Sequence, residues 1–242
     1  MSWFDAGTPR GTHPDAVAAQ VIVIAKEPRP GRVKTRLTPP FTPHDAASMA
    51  EGALADTLAR AAAARVARHV LALDGAPGDW LPDGFDVIGQ RGGGLDERLA
   101  SAFADAHASL PLPMVLIGMD TPQVTPGLLT EAAQALASGE ADAVFGPAAD
   151  GGFWLLGLRR PDRSLLAGVP MSRQDTGRHQ LDRLTSAGLR VAMMPELTDV
   201  DTVREAELVA AAIPGSRFAA AFDLAMASRL APAGAWPARQ PA

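Results

Sequence analysis

Short, fully apolar segments that alternate with longer amphipathic ones constrain this chain more than any other feature of its sequence. The runs VIVI at 21–24 and MVLI at 114–117 are apolar at consecutive positions. Such runs are typical of strands covered on both faces, as in a mostly parallel sheet. Strands that alternate with helices predict an α/β sandwich. The predicted strands cover 20–25, 69–73, 85–88, 114–118, 142–146, 153–158 and 190–194, and the predicted helices cover 43–65, 95–109, 126–138, 175–187, 203–212 and 215–230.

A basic loop follows the first predicted strand. The stretch AKEPRPGRVKTRL at 25–37 concentrates positive charge in a chain whose net charge is -5. Two prolines stiffen this loop and Gly31 permits a sharp turn, so its backbone N–H groups and cations suit a di- or triphosphate. A solvated basic turn is the alternative, and the spacing is not that of a Walker A loop. The five cations are Lys26, Arg29, Arg32, Lys34 and Arg36.

Two carboxylates are candidates for a divalent metal ion. Asp120 comes two residues after a buried strand, and Asp201 precedes a helix that Thr202 and Glu205 start with a capping box. Mg²⁺ or Mn²⁺ that bridges phosphate oxygens usually takes only one or two carboxylates. Three alternatives stay open: Asp120 forms a turn, Asp201 caps the helix itself, or Asp199 is the second ligand.

Two glycine-rich stretches complete the candidate site. In GQRGGGLDERL at 89–99, consecutive glycines precede a helix whose N-terminus suits a base, ribose or phosphate. In FGPAADGGFWLLGL at 145–158, Asp150 precedes Gly151 and Gly152. We interpret Asp150 as a group that binds acceptor hydroxyls or acts as a base. A plain hairpin turn explains the same letters equally well.

Composition excludes several classes of protein. The chain is 47% hydrophobic, 20% charged and mildly acidic, which argues against a nucleic acid partner. It has no cysteine, so disulfides, thiolate catalysis and cysteine-bound metals are excluded. Neither a signal peptide nor a membrane span is predicted, which indicates a soluble cytoplasmic protein. We predict a loose arm at 1–18, one domain at 19–230 and a disordered tail at 231–242. The sequence does not predict the oligomeric state.

Four stretches together resemble a bacterial family of GT-A-like transferases, whose members are often named as arsenosugar-biosynthesis glycosyltransferases. They are AKEPRPGRVKTRL, IGMDTPQVTP, GPAADGGFWLLGL and DVDT, and they occur in the family's order between about residues 20 and 210. The family is similar to nucleotide-diphospho-sugar transferases, and more distantly to molybdenum cofactor and phospholactate nucleotidyltransferases. This chain departs from it at Met119, at Phe153 and Trp154, and at Met171, where the family often has Ser, Tyr and Trp respectively.

The resemblance implies a GT-A-like three-layer sandwich with a mostly parallel mixed sheet, and an enzyme that uses Mg²⁺ or Mn²⁺. Its first implied function is glycosyl transfer from a nucleotide-sugar to a small-molecule acceptor. The alternative is a nucleotidyltransferase that joins a nucleoside triphosphate to a phosphorylated acceptor, and a third hypothesis is a non-catalytic nucleotide-binding protein. The resemblance implies metal binding for Asp120 and Asp201 and an acceptor-side position for Asp150. It implies phosphate binding for Lys26, Gly31, Lys34 and Arg36. We further predict catalysis for Lys34 and Asp150, and nucleotide binding also for Ala25, Gln90, Gly93 and Gly94.

Overall fold

The computed structural model describes residues 15–230 of the 242. The predicted tail at 231–242 and most of the predicted arm lie outside the described residues. The first strand begins at Val17, three residues earlier than predicted and within the range assigned to the arm.

Seven strands and six α-helices alternate along residues 15–230 as the sequence predicts. The strands are β1 (Val17–Lys26), β2 (Val66–Asp74), β3 (Phe85–Gly89), β4 (Met114–Gly118), β5 (Ala143–Pro147), β6 (Phe153–Leu158) and β7 (Val191–Met193). The helices are α1 (Pro43–Ala62), α2 (Leu95–Ser109), α3 (Pro126–Ala137), α4 (Thr176–Ser186), α5 (Val203–Ala212) and α6 (Arg217–Leu230). Two short 3₁₀ helices cover Thr35–Leu37 and Arg163–Leu165.

The strands form one sheet in the order β3-β2-β1-β4-β6-β5-β7. Strand β6 runs antiparallel to both β4 and β5, and the remaining pairs are parallel. The prediction of a mostly parallel mixed sheet is therefore confirmed. The strand order reverses between β1 and β4, and in open α/β sheets ligands bind at the carboxyl ends of strands at such a point.

Helices cover both faces of the sheet. On one face, Leu58 of α1 and Leu129 of α3 pack in a core with Val21 and Val115 of the central strands. On the other face, α2 and α4 pack in a second core with apolar residues of the sheet that include Ile22. Each central strand is thus buried on both sides, which is why its sequence is apolar without alternation.

An outer pair of helices packs against α1. The backbone of α6 passes so close to Gly52 that a Cβ atom there would lie 2.9 Å from the carbonyl carbon of Arg217. Asp56 of α1 accepts hydrogen bonds from the backbone N–H groups of Arg217 at 3.3 Å and Phe218 at 2.9 Å. The apolar core between these helices also buries Val200, so it fixes the segment that carries Asp199 and Asp201.

Three helices begin where the sequence predicts. Thr42 and Asp45 form a capping box at α1, Thr125 caps α3, and Thr202 caps α5. Glu205 completes the box of α5 and also accepts from the backbone N–H of Asp201 at 3.0 Å. The alternative in which Asp201 itself caps α5 is therefore wrong, and its carboxylate is free for another contact.

Candidate active site

The candidate site lies where β1 and β4 end side by side. These strands are parallel neighbours, with Ile24 beside Gly118, so the basic loop and the turn that carries Asp120 leave the same edge of the sheet. The backbone N–H of Lys26 donates to Met119 Sδ at 3.3 Å and joins the loop to the turn. The topological switch point therefore collects the main cationic and acidic motifs of the sequence.

Apolar anchors position the basic loop. Val33 is 7% exposed and Leu37 is fully buried, so the loop is held at both sides of Lys34. Gly31 has φ +75°, and Lys34 itself adopts the left-handed conformation with φ 49° and ψ 39°. A non-glycine residue in this region is uncommon and occurs often at functional sites. The conformation directs the Lys34 side chain inward, where it is only 7% exposed.

The loop contacts both predicted metal ligands. Lys34 Nζ lies 2.8 Å from Asp120 Oδ1 and also donates to the carbonyl oxygen of Val200. Arg36 forms an ion pair with Asp201. The backbone N–H of Val200 donates to the Asp120 carbonyl at 3.0 Å, which ties the two acidic segments together. Sequence positions 80 residues apart thus meet at one place, although metal binding by Asp120 and Asp201 stays a prediction.

Asp199 is the second acidic residue of this segment and has a different environment. Its carboxylate accepts from Thr121 Oγ1 at 2.8 Å. The pKa of Asp199 is raised to about 7, with burial as the largest cause; the Thr121 hydrogen bond and Lys34 oppose the rise, and the negative charges of Asp120 and Asp150 add to it. The sequence analysis named Asp199 only as a competitor of Asp201. The DVD stretch at 199–201 was the sequence signal for Asp199. Its hydrogen bond with Thr121 could not be predicted from the sequence, because it depends on the fold.

Asp150 lies on an exposed loop that is packed tightly against the segment before α4. Gly151 has φ +87°, and a Cβ atom there would overlap the carbonyl oxygen of Gln174. The N–H of Gly177 donates to the Gly151 carbonyl at 2.8 Å, while Asp150 Oδ1 accepts from Gly152 N at 2.8 Å. The loop also joins antiparallel β5 and β6, so the hairpin alternative describes its connection correctly.

Two residues predicted to bind nucleotide, Ala25 and Gln90, are joined by a hydrogen bond within the protein. Gln90 Nε2 donates to the carbonyl oxygens of Ala25 at 2.7 Å and Ala72 at 3.0 Å, which links the ends of β1 and β2. Ala25 itself is 2% exposed. The side-chain amide nitrogen of Gln90 therefore holds strands together, and nucleotide binding by Ala25 and Gln90 stays a prediction.

One backbone N–H group of the glycine turn before α2 already has a hydrogen-bond acceptor within the protein. The N–H of Gly93 donates to Glu97 Oε2 at 2.8 Å, and Gly94 is the N-cap residue of α2. Asp96 and Glu97 place two carboxylates in the first turn of this helix, where they compete with any anionic ligand. Contact of Gly93 and Gly94 with a nucleotide stays a prediction.

A cavity of about 390 Å³ opens at the ends of β1 and β2, a size typical of small-molecule sites. Arg29 pairs with Glu27 at 2.6 Å, and this bond, together with the N–H of Ala76, lowers the pKa of Glu27. Lys26 and Arg32 line the cavity without an ion pair among residues 15–230. The sequence analysis missed the β2 side of this cavity, because the DGA stretch after β2 carries no recognisable motif. The cavity is lined by Lys26, Glu27, Arg29, Arg32, Asp74, Gly75 and Ala76.

Residues 53–173, half of the chain, match the model of a family described as "Uncharacterized protein conserved in bacteria". The chain belongs to the DUF2064 family. The matched part of this DUF2064 protein contains Asp120 and Asp150, whereas the basic loop and Asp199 to Asp201 lie outside it. A search of curated proteins found no match.

Solved structures share the fold of this DUF2064 protein. One, from Desulfovibrio desulfuricans G20 and provisionally assigned as a nucleotide-diphospho-sugar transferase, is 25% identical, with a TM-score of 0.77 over 87% of this chain and 96% of its own. Another, a CMP:2-keto-3-deoxy-manno-octonic acid synthetase in complex with CTP, is 15% identical, with a TM-score of 0.51 over 79% and 96% of the two chains. The predicted GT-A-like fold is confirmed. Within residues 15–230, no helix is long and apolar enough to cross a membrane.

Proposed function

We propose that this DUF2064 protein is a metal-dependent transferase that uses a nucleotide-activated donor, in the first instance a nucleotide-sugar. The observation that carries the proposal is the meeting of Lys34 and Arg36 with Asp120 and Asp201 at the switch point of the sheet. Likeness to the D. desulfuricans protein supports a donor of the nucleotide-diphospho-sugar class. The adjoining cavity is lined by Lys26 and Arg32, which form no ion pair within residues 15–230, and this supports a phosphorylated ligand there.

The donor atoms at this site suit Mg²⁺ or Mn²⁺. Asp120 and Asp201 offer carboxylate oxygens, and hard divalent cations complete such sites with phosphate oxygens and water. Among the described residues, no group of three His, Cys, Asp or Glu side chains is suited to a metal ion. The proposed site therefore requires phosphate oxygens of the substrate as further ligands. Bound there, the ion would neutralise charge on the donor phosphates.

The protein's own side chains supply the remaining chemistry. In glycosyl transfer, the acceptor oxygen forms a bond to the sugar carbon while the bond from that carbon to the donor phosphate oxygen breaks. Lys34 and Arg36 donate charge-assisted hydrogen bonds to the departing nucleoside diphosphate, which takes the electron pair. Asp150, exposed on its rigid loop, accepts the proton that the acceptor hydroxyl loses.

The alternative is nucleotidyl transfer, in which a phosphorylated acceptor attacks a nucleoside triphosphate and pyrophosphate departs. The density of cations in the basic loop favours this reaction, because a triphosphate carries more charge than the diphosphate of a nucleotide-sugar. The same side chains would then stabilise charge on the attacked phosphorus and on the departing pyrophosphate.

Two assays distinguish these reactions. The protein is first screened by thermal shift against nucleotide-sugars and nucleoside triphosphates, each with and without Mn²⁺. Ligands that stabilise it are then incubated at length, and released nucleoside diphosphate and released pyrophosphate are measured separately. Release of diphosphate from a nucleotide-sugar supports glycosyl transfer, and release of pyrophosphate supports nucleotidyl transfer. If no ligand stabilises the protein and no ligand releases either product, both proposals are contradicted.

Carboxylate variants test the metal assignment. We expect Asp120→Asn and Asp201→Asn to abolish the part of the thermal shift that depends on Mn²⁺, because each loses a charged oxygen ligand. Asp105→Asn is the matched control, since Asp105, on α2, pairs with Arg91 and not with the basic loop. If Asp199→Asn abolishes the Mn²⁺ response and Asp201→Asn does not, Asp199 is the second ligand. A full response in all of these variants would place the metal elsewhere.

A further inference from the structure

Each proposed metal ligand already has a cation of the basic loop as its partner. Lys34 pairs with Asp120, and Arg36 pairs with Asp201. Among residues 15–230, neither carboxylate pairs with a second cation. The groups expected to hold phosphate and the groups expected to hold metal therefore neutralise each other in this structure.

The Lys34 pair is built into the fold. The Lys34 side chain is 7% exposed and donates to the Val200 carbonyl as well as to Asp120, so water screens the Lys34 end of this pair less than that of a surface pair, although the Asp120 side chain is 40% exposed. Buried Val33 and Leu37 hold the loop in position on both sides. The Arg36 pair is more open, because the Arg36 side chain is 68% exposed. Its contribution should be smaller than that of Lys34.

These contacts create a competition. A carboxylate neutralised by an ammonium or guanidinium group attracts a divalent cation less strongly, and a cation engaged by a carboxylate attracts phosphate less strongly. When phosphate oxygens take Lys34 and Arg36, Asp120 and Asp201 regain their charge for the metal. Reciprocally, a bound metal ion releases the two cations for phosphate, as linkage between two sites requires.

On the basis of the proposed function, we infer that Lys34 and Arg36 form an ionic latch that weakens metal binding until phosphate groups engage the loop. The latch consists of the Lys34–Asp120 and Arg36–Asp201 pairs. It predicts effects of opposite sign in one variant: removal of a latch cation strengthens binding of the metal alone and weakens binding of phosphate alone. A cation that served only as a phosphate ligand would produce the second effect without the first.

The test uses Mn²⁺ alone and inorganic pyrophosphate alone, on the full chain and on variants checked for folding by circular dichroism. Free Mn²⁺ is measured by electron paramagnetic resonance. We expect Lys34→Met to lower the Mn²⁺ dissociation constant by up to about 10-fold, the equivalent of one charge-assisted contact made by a buried cation. Arg36→Gln should lower it about 2- to 5-fold, as expected for an exposed pair. Calorimetry should show weaker pyrophosphate binding in both variants.

Arg29→Gln is the control, because it removes one positive charge from the same loop while Arg29 pairs with Glu27. A Mn²⁺ effect as large in this control as in the latch variants would overturn the latch, since net charge would explain it. Unchanged or weaker Mn²⁺ binding in Lys34→Met and Arg36→Gln would also overturn it, and weaker pyrophosphate binding in the same variants would leave the proposed function standing. If Lys34→Met does not fold, the Mn²⁺ and pyrophosphate measurements on Arg36→Gln, whose changed side chain is exposed, decide whether the latch exists. If the parent and every variant bind neither probe, the proposed function fails and the latch fails with it.

Discussion

At the scale of single residues, the neighbours of a carboxylate decide its role in this protein. Asp142 accepts hydrogen bonds from the side chain and the backbone N–H of Arg190, and Arg159 also pairs with it. These contacts lower the pKa of Asp142 to about 2, with the Arg190 side chain as the largest cause. Asp199 shows the opposite behaviour, because burial beside other carboxylates raises its pKa to about 7. Asp142 therefore joins strand ends, whereas Asp199 belongs to the acidic side of the candidate site.

The contacts of Asp142 predict a pH-dependent contribution to stability. Its pKa in the folded protein, about 2, lies below the ordinary value of 3.8, so the unfolded chain binds more protons between these two pH values. The contribution is therefore complete above the ordinary value and is lost as pH falls through the folded value. We expect the urea midpoint of Asp142→Asn to lie below that of the parent at neutral pH, and this difference to shrink as the solution is acidified below pH 3.8. Asp223→Asn is the control, because Asp223 lies on the exposed face of α6, and a difference that does not change with pH would contradict the prediction.

At the scale of elements, α6 has two caps: Ser216 Oγ accepts from the Ala219 N–H at 3.0 Å, and another helix supplies the second. Asp56 on α1 accepts from the first backbone N–H groups of α6, and Gly52 one turn earlier lets the two helices approach. Asp56 is 9% exposed, so these bonds are shielded from water. The contact joins α1, which begins after the basic loop, to the pair of outer helices that begins after Asp201. Elements on both sides of the candidate site are thereby held together.

Loss of this cap should destabilise the protein measurably. We expect Asp56→Ala to lower the free energy of unfolding by about 1 to 2 kcal/mol, because two shielded N–H groups lose their acceptor. Arg217→Gln is the control: the Arg217 side chain is 66% exposed and its ion pair with Asp56 spans 3.6 Å, so its loss should cost less than about 0.5 kcal/mol. Urea unfolding measures both. Equal losses would show that the ion pair, and not the helix cap, is what Asp56 contributes.

At the scale of the whole molecule, three apolar cores share their elements. Helix α1 contributes Leu54 and Leu58 to the core on the sheet and Met49 and Ala53 to the core against α6. The sheet in turn separates the first core from that of α2 and α4. Unfolding one core would therefore remove packing contacts from a neighbouring core. The single domain at 19–230 stays a prediction.

Shared cores predict one cooperative unfolding transition. Trp154 lies in the core of α1 and α3 and Trp80 packs against it, so their fluorescence reports that core. Far-ultraviolet circular dichroism reports all the helices, including α5 and α6. We expect the two urea transitions to coincide in a variant in which Trp3 and Trp236, outside the described residues, are replaced by Phe. A separate, earlier transition in circular dichroism alone would mean that the outer helices unfold independently.

Most of the fold could be predicted because its signals are local. Apolar runs four or five residues long mark the central strands, and Thr42, Thr125 and Thr202 mark helix starts through hydrogen bonds that span three residues. The predicted α1 is three residues too long and the predicted β1 starts three residues late. Ends of elements depend on what packs against them, which neighbouring residues in the sequence do not report.

The sequence by itself determined the α/β class, the parallel character of the sheet and the basic and acidic motifs, because each depends on residues close together in the chain. Only the tertiary structure decided that Lys34 meets Asp120, that Arg36 meets Asp201 and that Asp199 is buried beside Thr121. It also turned the amide nitrogen of Gln90 toward two strand carbonyls. The physical reason is that these contacts join segments as far as 165 residues apart, and a side chain's partners and burial depend on strand order and helix packing, which local sequence does not specify.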